Sequence, residues 1–236
     1  MAGESFIQRH SRAELLKNLI AGFTPAFNPA DSLLSIASFT TFLTSISTQN
    51  TAIKNLEVPL TNSISSRTAL IKLMKKRTTQ IVGRLKSNEA WAAEWAAAKL
   101  VADRLRGVRP SKAKAKAAGI SLPAPAPRGK GGQAYAETAV LFEQLTGIAN
   151  GAPSWSTGAP LDISFSTLTS LITQLKALNT SIATQESTLK TNRQKRQALY
   201  TGPKSLQVKF QALKNAVKGQ YGQDSAEAAS VRGVKW

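Results

Sequence analysis

The feature that most constrains this chain is an echo of itself at a spacing of 129 residues. Phe39-Thr40-Thr41-Phe42-Leu43-Thr44-Ser45-Ile46 aligns with Leu168-Thr169-Ser170-Leu171-Ile172-Thr173-Gln174-Leu175, and Asn50-Thr51-Ala52-Ile53 with Asn179-Thr180-Ser181-Ile182. Glu57 meets Glu186, Leu60 meets Leu189, and Arg67-Thr68-Ala69-Leu70 meets Arg196-Gln197-Ala198-Leu199. Across residues 39–71, ten of 33 positions are identical. Two related helical units are therefore the organising expectation.

Each copy carries an apolar stripe at helical spacing. In the first, Phe39, Leu43, Ile46, Ile53, Leu60 and Ile64 recur at intervals of three, four or seven, interrupted by Asn50 and Glu57. In the second, Leu168, Leu171, Leu175, Leu178, Ile182 and Leu189 repeat the pattern. Pro59 should kink or break the first helix near Val58, because it removes a donor and crowds the preceding turn. Thr201-Gly202-Pro203 should end the second and redirect the chain. Leu206, Phe210, Leu213 and Val217 then mark a return helix that Gly219 closes. The expected fold is all-α: elongated helical hairpins or rods, packed antiparallel as a bundle or coiled coil.

The remaining segments subdivide the chain. Residues 1–30 read as an amphipathic helix and turn, with Ser11 as N-cap, Glu14 completing a capping box, Gly22 ending it, and Leu15, Leu16, Leu19 and Ile20 on its apolar side. His10 falls in a loose N-terminus. Residues 31–106 form the first repeat unit, closing with an alanine-rich helix from Asn88-Glu89 that displays Trp91 and Trp95 as packing residues. Residues 107–133 form a linker rich in Gly, Pro, Ala and Lys, with a stiff PAPAP run at 123–127. Residues 134–160 are a short bridging helix and loop, and residues 161–236 the second repeat unit, with a last helix opened by Asp224 or Ser225.

Composition narrows the chemistry. There is no cysteine and a single histidine, so disulfides, thiolate chemistry and cysteine-rich metal sites are excluded, and no metal or cofactor is expected. The acids lack the paired spacing of a metal-binding helix face. Gly129-Lys130-Gly131-Gly132 lacks the spacing of a phosphate-binding loop. No stretch of about 18 apolar residues suggests a membrane span. The N-terminus has no apolar core of a signal peptide, so a cytoplasmic location is expected. No catalytic constellation stands out, and the chain reads as a non-enzyme.

What remains is charge. Thirty-one Lys and Arg against 13 Asp and Glu give a formal net charge of +18, which favours anionic partners. From Arg104 to Lys130 the chain has eight cations and no acid: Arg104, Arg106, Arg109, Lys112, Lys114, Lys116, Arg128 and Lys130. Further clusters are Lys72, Lys75, Lys76 and Arg77, and Lys190, Arg193, Lys195 and Arg196. The leading expectation is a structural or scaffold protein that self-associates or binds a helical partner. The alternative is sequence-nonspecific nucleic-acid binding through these residues. An anionic membrane surface is less favoured, and no small-molecule substrate is evident.

Overall fold

The structure, a computed structural model, describes residues 5–108, 116, 119–121 and 131–236, the side chains of 131–133 excepted. It is an all-α, multi-helix bundle. Among the described residues its α-helices include α1 (Phe6–Ala21), α2 (Ile36–Lys86), α3 (Ala92–Leu105), α4 (Gly131–Gly151), α5 (Trp155–Gly158), α6 (Phe165–Thr201), α7 (Leu206–Tyr221) and α8 (Ala226–Gly233). Two compact units partition them. The first comprises residues up to Val58 with Ser187–Trp236, and the second Pro59–Glu186. Both long helices, α2 and α6, contribute to each unit.

In the first unit, the core gathers Ala13, Leu16 and Ile20 of α1, Phe39, Leu43 and Ile46 of α2, Tyr200 of α6, and Leu206, Phe210, Leu213 and Val217 of α7. Here α2 and α6 run in opposite directions. Asn50 hydrogen-bonds Tyr200 and Glu57 pairs with Arg193, so seven residues forward on one helix are seven back on the other. In the second unit, Leu70, Met74, Ile81 and Leu85 of α2 pack with Leu168, Leu171, Ile172 and Leu175 of α6. Trp91, Phe142, Leu145 and Trp155 fill that core.

The stripes read from the sequence are the packed faces. Phe39, Leu43, Ile46, Ile53, Leu168, Leu175, Ile182, Leu189, Leu206, Phe210, Leu213 and Val217 are buried, whereas Leu60 is half-buried and Ile64 exposed. The stripe thus thins just past Pro59. Solvent-facing threonines hold their hydroxyls against the helix itself: Thr40, Thr44, Thr173 and Thr180 each donate to the carbonyl four residues back. A helix face poor in charge satisfies its polar groups in this way.

Several expectations are corrected. Of a turn at Pro59 and a rod that runs on, the structure has the rod: α2 passes through Pro59 and is 51 residues long. The proline is exposed, and so is Asn55, whose carbonyl loses its donor. Helix α1 starts at Phe6, not at Ser11. Ser5 Oγ accepts from the Gln8 amide at 3.2 Å and Gln8 Oε1 accepts from the Ser5 amide at 2.9 Å, an earlier capping box that outcompetes Ser11 and Glu14. His10 is therefore helical, its Nε2 3.3 Å from the Leu43 carbonyl. The inward face is Ala13, Leu16 and Ile20, and Leu15 is 51% exposed. Helix α7 continues past Gly219 to Tyr221. It stops at Gly222, whose φ of +93° suits a residue without Cβ. The bridging helix, expected to be short and within residues 134–160, is the 21-residue α4, which starts earlier, at Gly131.

Two local structures recur at the 129-residue spacing. Before α2, Ser35 Oγ accepts from the Ser38 amide and donates to Ser38 Oγ, which itself donates to the Ser32 carbonyl. Before α6, Ser164 Oγ, Thr167 and the Leu161 carbonyl make the same three bonds. The inward triad of α1 also has a match in α4, where Phe142, Leu145 and Ala149 are buried.

Candidate functional site

Most cationic side chains singled out by the sequence fall into distinct settings. Arg104 pairs with Glu137 at 2.6 Å, and both are largely buried. Arg77 is held by Asp162, which also accepts from Gln80 at 3.1 Å. Arg193 pairs with Glu57 at 2.8 Å on the surface. Arg106 is exposed, bonded to Thr79 and close to Asp103. Lys72, Lys75, Lys76, Lys116, Lys190 and Lys195 are exposed. Arg109, Lys112, Lys114, Arg128 and Lys130 lie outside the described residues, as does the PAPAP run.

The structure brings Lys72, Lys75, Lys76 and Arg106 to one surface of the second unit, since Arg106 reaches back to Thr79, one turn beyond the lysines. No acid occurs on α2 after Glu57. Arg77, by contrast, is spent on Asp162. The tryptophans pack: Trp91 Nε1 donates to the Pro153 carbonyl at 3.0 Å, its ring lies 6.0 Å from that of Trp155, and Arg84 stacks over both.

Two features escaped the sequence reading. One is an open groove of about 680 Å³ in the first unit, lined by Phe42, Gln49, Lys195, Ala198, Leu199, Gly202, Pro203 and Lys204. The turn at Gly202-Pro203 makes it, by swinging α7 away from the line of α6. Its floor is apolar and its rim carries two lysines. The other is a set of arginines stacked on aromatic rings. Arg196 lies 4.5 Å from the Phe6 ring, Arg67 3.7 Å from the Tyr135 ring, and Arg9 5.7 Å from the Trp236 ring. Arg196 and Arg67, like Phe6 and Tyr135, are 129 residues apart.

Tyr200 stands in the middle of one such set. Burial pushes its hydroxyl above the ordinary value, while the bond from Asn50 and the charges of Arg196 and Arg9 pull it back. Lys214 is lowered by burial and by Lys218, and its Nζ donates to the Val234 carbonyl.

Among the described residues no three His, Cys, Asp or Glu side chains gather as metal ligands, and no helix is long and apolar enough to cross a membrane. Comparison with protein-family models, with curated proteins and with solved structures returns no significant match.

Proposed function

We propose that this is a non-catalytic structural or scaffold protein acting through helix-mediated association, with a second copy of the chain as its partner. The observation that carries the reading is an uncovered hole and uncovered knobs of matching chemistry. The hole is the apolar groove beside Phe42 and Leu199. The knobs are Leu161, in the 3-10 turn before α6, and Phe165, the first residue of α6, 83% and 48% exposed. Docking one copy's knobs in another's groove joins unlike surfaces, so growth beyond a dimer is open to it. Buried Phe39, Ile46 and Ile53, and Leu168, Leu175 and Ile182, keep a seven-residue interval, which supports coiled-coil-like pairing of the long helices.

The matched helix entries and the matched inward faces of α1 and α4 support reading the chain as a duplication that also includes these helices. Association is tested by solution mass with Leu161→Ser/Phe165→Ser. Loss of assembly with unchanged helicity is expected. An unchanged mass distribution would remove the knobs from the account.

The lysine surface of α2 favours a second reading, sequence-nonspecific binding of a nucleic acid in the cytoplasm. Lys72, Lys75, Lys76 and Arg106 present charge without a neighbouring acid on α2 after Glu57. Salt separates the two readings by sign. Polyanion binding releases counterions and weakens as salt rises. Association of chains carrying +18 meets like-charge repulsion and strengthens as salt screens it. Triple replacement of the lysines by Gln should weaken duplex binding and leave self-association intact.

A further inference from the structure

We infer that the first unit holds a binding site for a small tetrahedral oxyanion of the phosphate or sulfate class, formed by Arg9, Arg196 and the hydroxyl of Tyr200. Helical spacing sets the site. Arg9 follows Phe6 by three residues on α1, and Arg196 precedes Tyr200 by four on α6, so each arginine flanks one ring of the Phe6–Tyr200 contact, whose centroids are 4.7 Å apart. Stacking on Phe6 and Trp236 fixes the planes of the two guanidiniums and leaves their N–H edges to find acceptors. Among the described residues those acceptors are missing. The Nε atoms of Arg9 and Arg196 are both buried and make no hydrogen bond. Asn50 Nδ2, 3.3 Å from the Tyr200 oxygen, adds a further polar group beside them.

The carboxylates on the adjoining helices are engaged elsewhere: Glu14 holds Lys17 and Glu57 holds Arg193. The second unit holds a related arrangement: Arg67 stacks on Tyr135 with its Nε also buried and without a hydrogen bond, while Glu137, two residues on from Tyr135, pairs with Arg104. The residue 129 positions before Glu137 is Gln8, whose side chain is used in the cap of α1. Two half-buried arginines with no described counter-charge are costly to hold together. An oxyanion supplies the missing charge and the acceptors for both forks.

The test is a titration of the full-length protein with inorganic phosphate, reading arginine Nε–H resonances at constant ionic strength set with chloride. The Arg9 and Arg196 signals should shift and saturate together while that of Arg77, held by Asp162, stays in place. Arg9→Gln, at a half-exposed position, and Arg196→Lys, which keeps the charge but loses the fork, should each weaken phosphate binding about tenfold or more. Shifts spread equally over all arginines, reproduction of the shifts by chloride alone, or unaltered affinity in both variants would overturn the site. A parallel arm uses phosphatidylglycerol vesicles. Binding to vesicles with no response to free phosphate would overturn it too, because the site is assigned to a free ion.

Discussion

Pro59→Ala should stabilise this protein, although it alters an exposed residue. Proline in a helix interior costs about 3 kcal/mol relative to alanine, through a lost donor and a clash with the preceding turn. Here that cost is borne by a helix that runs unbroken from Ile36 to Lys86. The substitution restores a donor to the Asn55 carbonyl and relieves the clash. Against this, alanine frees the unfolded chain, which takes back about 0.4–1 kcal/mol. The net gain is about 2 kcal/mol, or about 4–8 °C in melting temperature for a chain of this size. Thermal unfolding followed by circular dichroism at 222 nm reads it directly. An unchanged or lowered melting temperature would mean that the chain turns at Pro59, one of the two courses the sequence leaves open, and that the continuous helix is wrong.

Other outcomes follow from particular positions. Leu16→Ala and Leu145→Ala each empty a fully buried site, one in each unit, and should each cost about 2–5 kcal/mol in denaturant titrations. Gly202→Ala places a Cβ 2.7 Å from the Ala198 carbonyl oxygen, a backbone atom with little freedom to yield, and should destabilise by about 1–3 kcal/mol. Gly83→Ala meets nothing within 4 Å inside α2, and should instead stabilise by about 1 kcal/mol in the same titration. Tyr200 has a raised pKa in the folded state, so the unfolded chain loses its proton first. The stability it contributes is whole below the ordinary value of 10.0 and is lost as pH rises from there through the folded value. Urea midpoints measured across that alkaline range should fall less steeply in Tyr200→Phe than in the parent; parallel slopes would refute the assignment.

The packed faces were legible because a seven-residue interval survives any uncertainty about helix ends. Phe39, Ile46, Ile53, Leu168, Leu175 and Ile182 needed only their spacing. Helix boundaries were harder, because the sequence offers competing signals of equal form. Ser5 with Gln8 and Ser11 with Glu14 both match a capping box, and Gly219 and Gly222 both suit a helix end. Position along the fold decides between them: starting at Ser5 brings His10 to the Leu43 carbonyl and lets Phe6 reach Tyr200. The correspondence of α1 with α4 had a signal that was available, since Glu14, Leu16 and Gly22 are identical to Glu143, Leu145 and Gly151 at the same spacing. It was weak beside the long stripes. The arginine site was not legible at all. Arg9 and Arg196 lie near opposite ends of the sequence, and only the antiparallel course of α6 against α2, with α1 packed in the same core, brings them to one tyrosine. Nor does a groove show in a sequence, because it depends on the direction taken after Gly202-Pro203.

The most direct test of helix-mediated association is the solution mass of the intact chain against concentration, repeated from about 50 to about 500 mM salt, where the screening length shortens severalfold. Association through groove and knobs requires a mass that climbs above the 25.2 kDa of one chain and climbs further as salt is added. A mass fixed at one chain across all concentrations and salts would contradict it.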